Sequence, residues 1–240
     1  MLIIHETGAE LLKALRAPEF ILPTILFPLV FFTLFAIVLS TSQDNTTYLL
    51  ATYGIFAVMG PALFGFGVGV ANEKDRGWLE LKRALPVPVY SYVLAKTITT
   101  LVFASLALLP IYLVAGFAGE VQLPTPTWAA LFLVHLFSAI PFVMLGITMG
   151  FRFAANGAVA LTNIAFFGLT ILGGLWFPVS LFPSIMQTLS KLTPSYHLAE
   201  ISLAVIGIQE KIIAPENVIS ISVATLLLAT LAIWSWKSAN

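Results

Sequence analysis

The sequence has 240 residues, of which 59% are hydrophobic and 9% are charged. Ordinary soluble domains carry roughly a quarter charged residues, so this composition excludes a soluble globular protein and predicts a membrane protein. The formal net charge of zero gives no overall attraction to nucleic acid, and the absence of cysteine excludes disulfides, thiol chemistry and cysteine-based metal sites.

The N-terminal segment is predicted to form an amphipathic helix on the cytoplasmic surface of the membrane. Within Leu2–Arg16, apolar and charged residues fall on different faces at helical spacing. The apolar face carries Ile4, Leu11, Leu12 and Leu15, and the charged residues are Glu10, Lys13 and Arg16. We assign residues 1–19 to this helix.

Six apolar segments are each long enough to cross a hydrocarbon core of about 30 Å, which takes roughly 20 residues of helix. They are Phe20–Leu39, Tyr48–Val70, Val93–Gly116, Trp128–Gly150, Ala158–Phe177 and Val218–Trp236. Because backbone amides in lipid must find hydrogen bonds within their own segment, each is predicted to be helical. The predicted fold class is therefore all-α, a single polytopic membrane domain over 1–240 with six transmembrane helices.

The distribution of basic residues predicts the orientation. With six spans both termini share one side of the membrane, and that side collects nine of the eleven Lys and Arg residues: Lys13, Arg16, Lys74, Arg76, Lys82, Arg83, Lys96, Arg152 and Lys237. The positive-inside rule then predicts cytoplasmic termini. The expected location is a bacterial or archaeal cell membrane.

Two connections carry local signals. The short cytoplasmic loop 151–157 contains Asn156–Gly157, which predicts a turn. The long external connection, residues 178–217, is apolar but interrupted by prolines, and its best uninterrupted helix, Ser195–Ile208, would reach only about 21 Å at 1.5 Å per residue. That is too short to cross, so we predict short external re-entrant helices between spans five and six.

The loop after span two, residues 72–92, holds seven charged residues within Glu73–Arg83. They could simply keep the loop in water, or they could dock a soluble partner whose charges fix the register. Glu73, Arg76 and Glu80 fall at i, i+3 and i+7, which predicts that they lie close to one helical face.

Two stretches carry a family resemblance. They are "NEKDRGWLELKRALPVPVYSYVLAK" over 72–96 and "GGLWFPVSLFPSIMQTLSKLTPSYHLAE" over 173–200. With six spans and an amphipathic N-terminal helix, the chain resembles the permease subunit of type-2 ABC transporters. The matching positions are Glu73, Arg76, Gly77, Leu79, Glu80, Leu81, Pro86, Tyr92 and Lys96, then Gly174, Pro178, Pro183 and Pro194. Trp78 stands where the family more often has Thr, and Lys74–Asp75 changes the order of charges.

The resemblance implies partners and a direction. A separate nucleotide-binding subunit would hydrolyse ATP with Mg, since this chain has no G-x-x-x-x-G-K-[ST] motif and needs no cofactor of its own. A second copy or a sister permease would complete the path, transport would be outward, and the short helices of Pro178–Ile208 would form an external lid. The residues implied in ATPase coupling are Glu73, Lys74, Asp75, Arg76, Gly77, Glu80, Lys82 and Arg83.

Span five is the predicted wall of the substrate path. Polar groups at membrane depth usually face protein or water, so Asn163 and Thr170, with Phe166 and Phe167, are candidates for that wall. The alternative is that the polar groups bond their own helix or a neighbour. Phe56 and Met59 of span two are further candidates, for which plain packing is the alternative. An apolar path favours a hydrophobic, lipid-like or drug-like compound.

Enzyme chemistry in this chain is not expected. The three histidines lack metal-ligand spacing, no catalytic residue set can be assembled, and His135 in span four is predicted to be a hydrogen-bonded structural residue. The Gly-x-x-x-Gly matches "GFGVG" (65–69) and "GITMG" (146–150) permit close helix approach, but by themselves they assign no interface.

Other functions stay open at this stage. A secondary transporter would need ionisable residues or broken helices within the membrane, and the sequence predicts no buried carboxylate. A haem exporter or assembly-factor component of related fold would need His or Trp groups gathered outside, and only Trp176 and His197 are available.

Overall fold

The computed structural model describes residues 2–16, 18–40, 42–84, 89–208 and 213–238. Within these ranges the chain is helical and contains no strand, so the all-α prediction is confirmed for the described part. The α-helices are α1 Leu2–Leu15, α2 Pro18–Phe32, α3 Gln43–Asp75, α4 Trp78–Ala84, α5 Val89–Phe117, α6 Thr125–Phe137, α7 Ala139–Arg152, α8 Ala155–Leu172, α9 Ser184–Ser190, α10 Pro194–Val205 and α11 Pro215–Ser238. A π-helical stretch, Thr33–Val38, continues α2, and a 3-10 turn, Val179–Leu181, precedes α9.

Several helices are long and apolar enough to cross a membrane, as predicted. In the described ranges five qualify by length and composition, and a shorter apolar helix, Thr24–Val38, lies within the first predicted span. The five are Gln43–Asp75, Ser91–Phe117, Thr125–Arg152, Ala155–Leu172 and Pro215–Lys237.

Two of the predicted spans are interrupted or end early for local reasons. Thr125–Arg152 is divided at Ser138 into α6 and α7. The break is caused by Pro141, because proline has no backbone N–H to donate and its ring clashes with the carbonyl four residues earlier. The fifth predicted span ends at Leu172 instead of Phe177. The cause is Gly174, whose φ of 69° lies in the left-handed region that favours glycine and turns the chain.

Helix α3 forms the centre of the fold. Its residues from Leu49 to Leu63 are all buried, and it packs against α2, α5, α7 and α8. A helix with apolar residues on all of its faces is buried among neighbouring helices. The other spans therefore take their positions from α3.

Helix α7 packs on α3 through glycine. A Cβ added at Gly146 would lie 2.9 Å from the Ala62 carbonyl oxygen, and one at Gly150 would lie 2.6 Å from the Phe66 carbonyl oxygen. Only a residue without a side chain permits this approach of two backbones. The Gly146–Gly150 match therefore makes a helix contact that the sequence alone did not assign.

A buried hydrogen-bonded histidine joins three helices. His135 Nε2 lies 2.9 Å from the Ala51 carbonyl oxygen, and its Nδ1 lies 2.9 Å from the Tyr112 hydroxyl. Since a carbonyl only accepts, Nε2 donates to it and Nδ1 accepts from Tyr112. His135 is thus a structural residue, as expected.

The connection between α8 and α11 contains two short helices. Helix α10 begins one residue before the predicted Ser195, with the Thr193 hydroxyl accepting from the Tyr196 N–H at 3.3 Å as its N-cap. It ends at Val205, shortly before Gly207, whose φ is 73°. The Ser195 hydroxyl donates to the Leu169 carbonyl at 2.7 Å and ties α10 to α8.

Candidate functional site

A buried cluster of charges joins α1, α3 and α5. Lys96 of α5 is its centre: Nζ lies 2.9 Å from Glu10 Oε2 of α1 and 2.9 Å from Glu73 Oε1 of α3. The side chains of these three residues are at most 10% exposed. We call Glu10, Glu73 and Lys96, with their outer partners Lys13 and Tyr92, the ionic cluster.

The outer partners balance the charge of the ionic cluster. Lys13 of α1 pairs with Glu73 and lies 4.0 Å from Glu10, and the Tyr92 hydroxyl donates to the other oxygen of Glu73. Two carboxylates thus face two ammonium groups. A buried charge is tolerated when it is paired and hydrogen-bonded.

The expectation that no carboxylate is buried is wrong at this site. Glu10 and Glu73 are both buried, because α1 packs against α5 and its Glu10 and Lys13 side chains reach Lys96 and Glu73. Lys96, which the family resemblance identified only as a matching position, is the residue that holds both carboxylates.

The two residues after Glu73 tie the same end of α3 to the turn between α7 and α8. Lys74 Nζ donates to the carbonyl oxygens of Phe151 at 3.0 Å and Phe153 at 2.8 Å, and Asp75 Oδ2 accepts from the Ala155 N–H at 2.8 Å. A cation therefore satisfies carbonyls at the C-terminus of α7, and an anion satisfies an N–H at the start of α8.

The prediction of a turn at Asn156–Gly157 is wrong. Both residues lie in the first turn of α8, which begins at Ala155. Asp75, distant in sequence, supplies the acceptor that this helix start lacks locally, since Ala154 gives no side-chain cap.

Arg76, Gly77 and Glu80 are exposed or half-buried near the tip of the loop. Gly77 has φ of 74° and makes the turn between α3 and α4. The expectation that Glu73, Arg76 and Glu80 share one helical face is wrong, because helix α3 ends at Asp75, before this turn.

Helix α4 presents a mixed surface. Trp78 is 54% exposed and Leu81 is 55% exposed, while Leu79 is 5% exposed and packs into the protein. Arg76 and Glu80 are also exposed. We call Arg76, Trp78, Glu80 and Leu81 the α4 surface. The side chains of the predicted coupling residues Lys82 and Arg83, and Pro86 as a whole, lie outside the described residues.

The predicted path residues divide into buried and surface groups. Phe56 and Met59 are fully buried, and Phe56 contacts Phe166 with ring centroids 5.2 Å apart. On the surface of α8 lie Phe167, 38% exposed, and the partly exposed Asn163. The structure therefore brings Phe56 and Phe166 together and leaves Asn163 and Phe167 on the outer face of α8.

The two polar path candidates bond their own helix. Asn163 Nδ2 donates to the Val159 carbonyl at 2.9 Å, and the buried Thr170 hydroxyl donates to the Phe166 carbonyl at 2.6 Å. Backbone bonds of this kind are common for such residues within membrane helices. A role in the path stays a prediction for both.

Sequence reasoning missed an aromatic cluster around Trp176. The Trp176 ring stacks on Phe31 at 5.6 Å and meets Phe56 edge-on at 5.6 Å and Phe167 at 6.2 Å. These rings come from four separate segments, so no local pattern could have joined them. Within the described part, Trp176 Nε1 and the Tyr53 hydroxyl are buried without a hydrogen-bond partner.

Comparison with known proteins gives two matches. The profile of the ABC-2 type transporter family matches residues 3–206. A protein of Bacillus subtilis (strain 168), named "Putative transport permease YvfS", is 28% identical over 193 residues, which cover 79% of each chain.

Proposed function

Because the chain belongs to the ABC-2 type transporter family, we propose that it is the membrane subunit of an ABC exporter whose ATPase is a separate subunit. Family membership makes it a transmembrane transport component rather than an enzyme. In the proposal, the partner subunit binds ATP and Mg, and this chain converts the partner's motion into movement of its spans.

The observation that carries the proposal is the end of α3. Glu73 is held by α1 and α5, while Lys74 and Asp75 are held by the turn between α7 and α8. The α4 surface follows directly. A force applied to α4 by a docked ATPase would therefore reach the spans on both sides of α3.

The α4 surface suits a docking role. It combines the exposed apolar side chains Trp78 and Leu81 with the opposite charges of Arg76 and Glu80. Aromatic and arginine side chains are enriched at interface cores, and charges fix the register of the partner. We propose that this surface contacts the ATPase, with α1 bracing it through the ionic cluster.

We further propose six spans, with Thr24–Val38 as part of the first, and both termini in the cytoplasm of a bacterial or archaeal cell. The support is the distribution of Lys and Arg over the connections. A second copy of the chain or a sister permease would pair with this one. The short helices α9 and α10 would cover the external end.

Single cysteines in the cysteine-free chain test this orientation. Cysteines at the exposed Asp44 and Glu120 are expected to react with an impermeant maleimide in intact cells, and one at the exposed Arg152 only after the cells are opened. Labelling is read by gel shift. Reaction at Arg152 in intact cells would contradict the proposed orientation.

The transported compound is proposed to be hydrophobic, lipid-like or drug-like. The support is the outer face of α8, where Phe167 and Asn163 lie beside the aromatic cluster. An apolar and aromatic surface with few hydrogen-bonding groups recognises apolar ligands rather than ions.

Charge reversal on the α4 surface tests the ATPase contact. Arg76→Glu and Glu80→Lys are each expected to abolish transport and weaken co-purification of the ATPase by about thirtyfold or more, since an interface charge that loses its partner costs about 2–5 kcal/mol. The assay co-expresses the chain with a candidate ABC ATPase subunit.

The matched control for this test is Lys237→Glu. Lys237 is exposed near the end of α11, outside the α4 surface. Its reversal should leave co-purification unchanged. If Arg76→Glu and Glu80→Lys behave like this control, α4 is a solvated connector and the proposed contact is wrong.

A further inference from the structure

A cavity of about 990 Å³ lies beside the ionic cluster. Its walls come from α1, α2, α3, α5, the turn after α3 and Trp78 at the start of α4. Pockets that hold a drug-sized ligand typically measure about 300–1,000 Å³, so this cavity has room for a substantial organic molecule. None of the predicted path residues lines it.

The lining of the cavity has a charged part and an apolar part. The charged part consists of Glu6, Arg76 and the four charged residues of the ionic cluster, and the apolar part includes Ile25, Pro61, Val68 and Phe103. The residues that bring charge lie on α1 and at the ends of α3 and α5, while the apolar residues lie further along the spans. A cavity with this division suits an amphiphile.

Thr99 supplies a second, independent indication of a ligand. It lines the cavity, it is 8% exposed, and its hydroxyl has no hydrogen-bond partner in the described part of the protein. An unpaired buried hydroxyl costs about 1–3 kcal/mol. Thr97 on the same helix shows the usual alternative, because its hydroxyl donates to the Val93 carbonyl at 2.8 Å.

Among the residues that the structure describes, the charges of the lining balance. Three carboxylates (Glu6, Glu10 and Glu73) face three cationic side chains (Lys13, Arg76 and Lys96). Such a wall favours neither a net anion nor a net cation. A headgroup that carries both charges can place its positive group near a carboxylate and its negative group near a cation.

We propose that this cavity binds one zwitterionic phospholipid from the leaflet in which α1 lies, with its headgroup beside the ionic cluster and a polar oxygen near the headgroup bonded to Thr99. Helix α1 suits this position, because Ile4, Leu12 and Leu15 are exposed and face away from the protein while Glu10 faces inward. An interfacial helix orients its apolar side chains in this way when lipid surrounds it. The site is separate from the proposed path, and it shares Arg76 and Trp78 with the α4 surface.

Two pairs of variants test the site. Gly65 lines the cavity, and a Cβ added there meets only the Thr100 hydroxyl at 3.7 Å, an ordinary contact. Gly65→Leu should therefore occupy part of the cavity without disturbing a backbone. Its control is Gly116→Leu, since Gly116 is exposed near the other end of α5 with no atom within 4 Å of an added Cβ.

The second pair, Thr99→Val and Thr97→Val, keeps the shape of both side chains. Thr99→Val removes the unpaired hydroxyl, and Thr97→Val removes one that is already bonded to its own helix. Only the first should weaken lipid binding.

The measurement is native mass spectrometry of the purified chain after reconstitution into vesicles of equal phosphatidylethanolamine and phosphatidylglycerol. We expect about one phosphatidylethanolamine per chain to survive detergent washing. Gly65→Leu should lower the lipid-bound to lipid-free ratio about tenfold or more, and Thr99→Val about fivefold. Both controls should match the parent protein.

Three results would overturn the proposal. The first is that no lipid is retained, and the second is that Gly65→Leu and Gly116→Leu retain equal amounts of lipid. The third is that the parent protein retains as much phosphatidylglycerol as phosphatidylethanolamine. The experiment requires neither an ATPase nor a transported compound. Its failure therefore leaves the proposed export function standing.

Discussion

Lys96→Met is expected to abolish transport and to lower the free energy of unfolding by about 3–5 kcal/mol, the usual cost of breaking a buried ion pair. The change keeps a similar volume but removes the ammonium group that lies 2.9 Å from both Glu10 and Glu73. Within the ionic cluster, the two carboxylates would then share the ammonium group of Lys13, which is largely exposed. In a chain of this size we expect the melting temperature in detergent to fall by about 10 °C.

A second variant separates charge from packing. Adding Glu10→Gln to Lys96→Met removes one uncompensated carboxylate, so it should recover part of the lost melting temperature although no ion pair is restored. Lys237→Met is the control, since it makes the same substitution at an exposed position. If Lys96→Met melts like this control, the ionic cluster does not hold α1, α3 and α5 together.

Gly146→Leu is expected to prevent α7 from packing on α3. The first added atom alone would lie 2.9 Å from the Ala62 carbonyl oxygen and 3.2 Å from the Gly67 amide nitrogen. These are backbone atoms, which cannot move away as a flexible side chain can. Extra atoms in a well-packed core typically cost about 1–3 kcal/mol, and we expect this substitution to exceed that range.

Fluorescence-detected size-exclusion chromatography of the tagged chain measures this effect as the loss of the monodisperse peak. Gly168→Leu is the matched control, because no atom lies within 4 Å of a Cβ added at Gly168 on α8. Gly146→Ala should lose less of the peak than Gly146→Leu. A normal peak from Gly146→Leu would show that α3 and α7 do not meet through this glycine.

The spans could be predicted from the sequence because they depend on a local property. A run of apolar residues must satisfy its own backbone in lipid, so length and hydropathy are enough to predict helices. The interruptions were harder, since the break at Ser138 depends on Pro141 and the early end of α8 depends on Gly174. Both residues are visible in the sequence, but the predicted bounds of the spans followed the apolar runs and did not take them into account.

The candidate site was predicted only in part, because its contacts join distant segments. The charges of Glu73–Arg83 stood out in the sequence, and the family resemblance implied that they form one ATPase-coupling element. The structure divides them, since Glu73 turns inward to Lys96 and Asp75 binds Ala155, 80 positions later. No local pattern indicates either partner, and helical periodicity fails wherever a turn such as Arg76–Gly77 intervenes.

The position of Glu10 has a consequence for the order in which the protein assembles. Glu10 and Lys96 are 86 residues apart, and a ribosome adds about 5–20 residues per second. The N-terminal helix therefore waits several seconds before its ammonium partner on the third apolar segment has even been synthesised. During that interval its carboxylate stays hydrated at the membrane surface. Docking of this helix is consequently a late event in biogenesis, which begins only after the first half of the chain has been inserted.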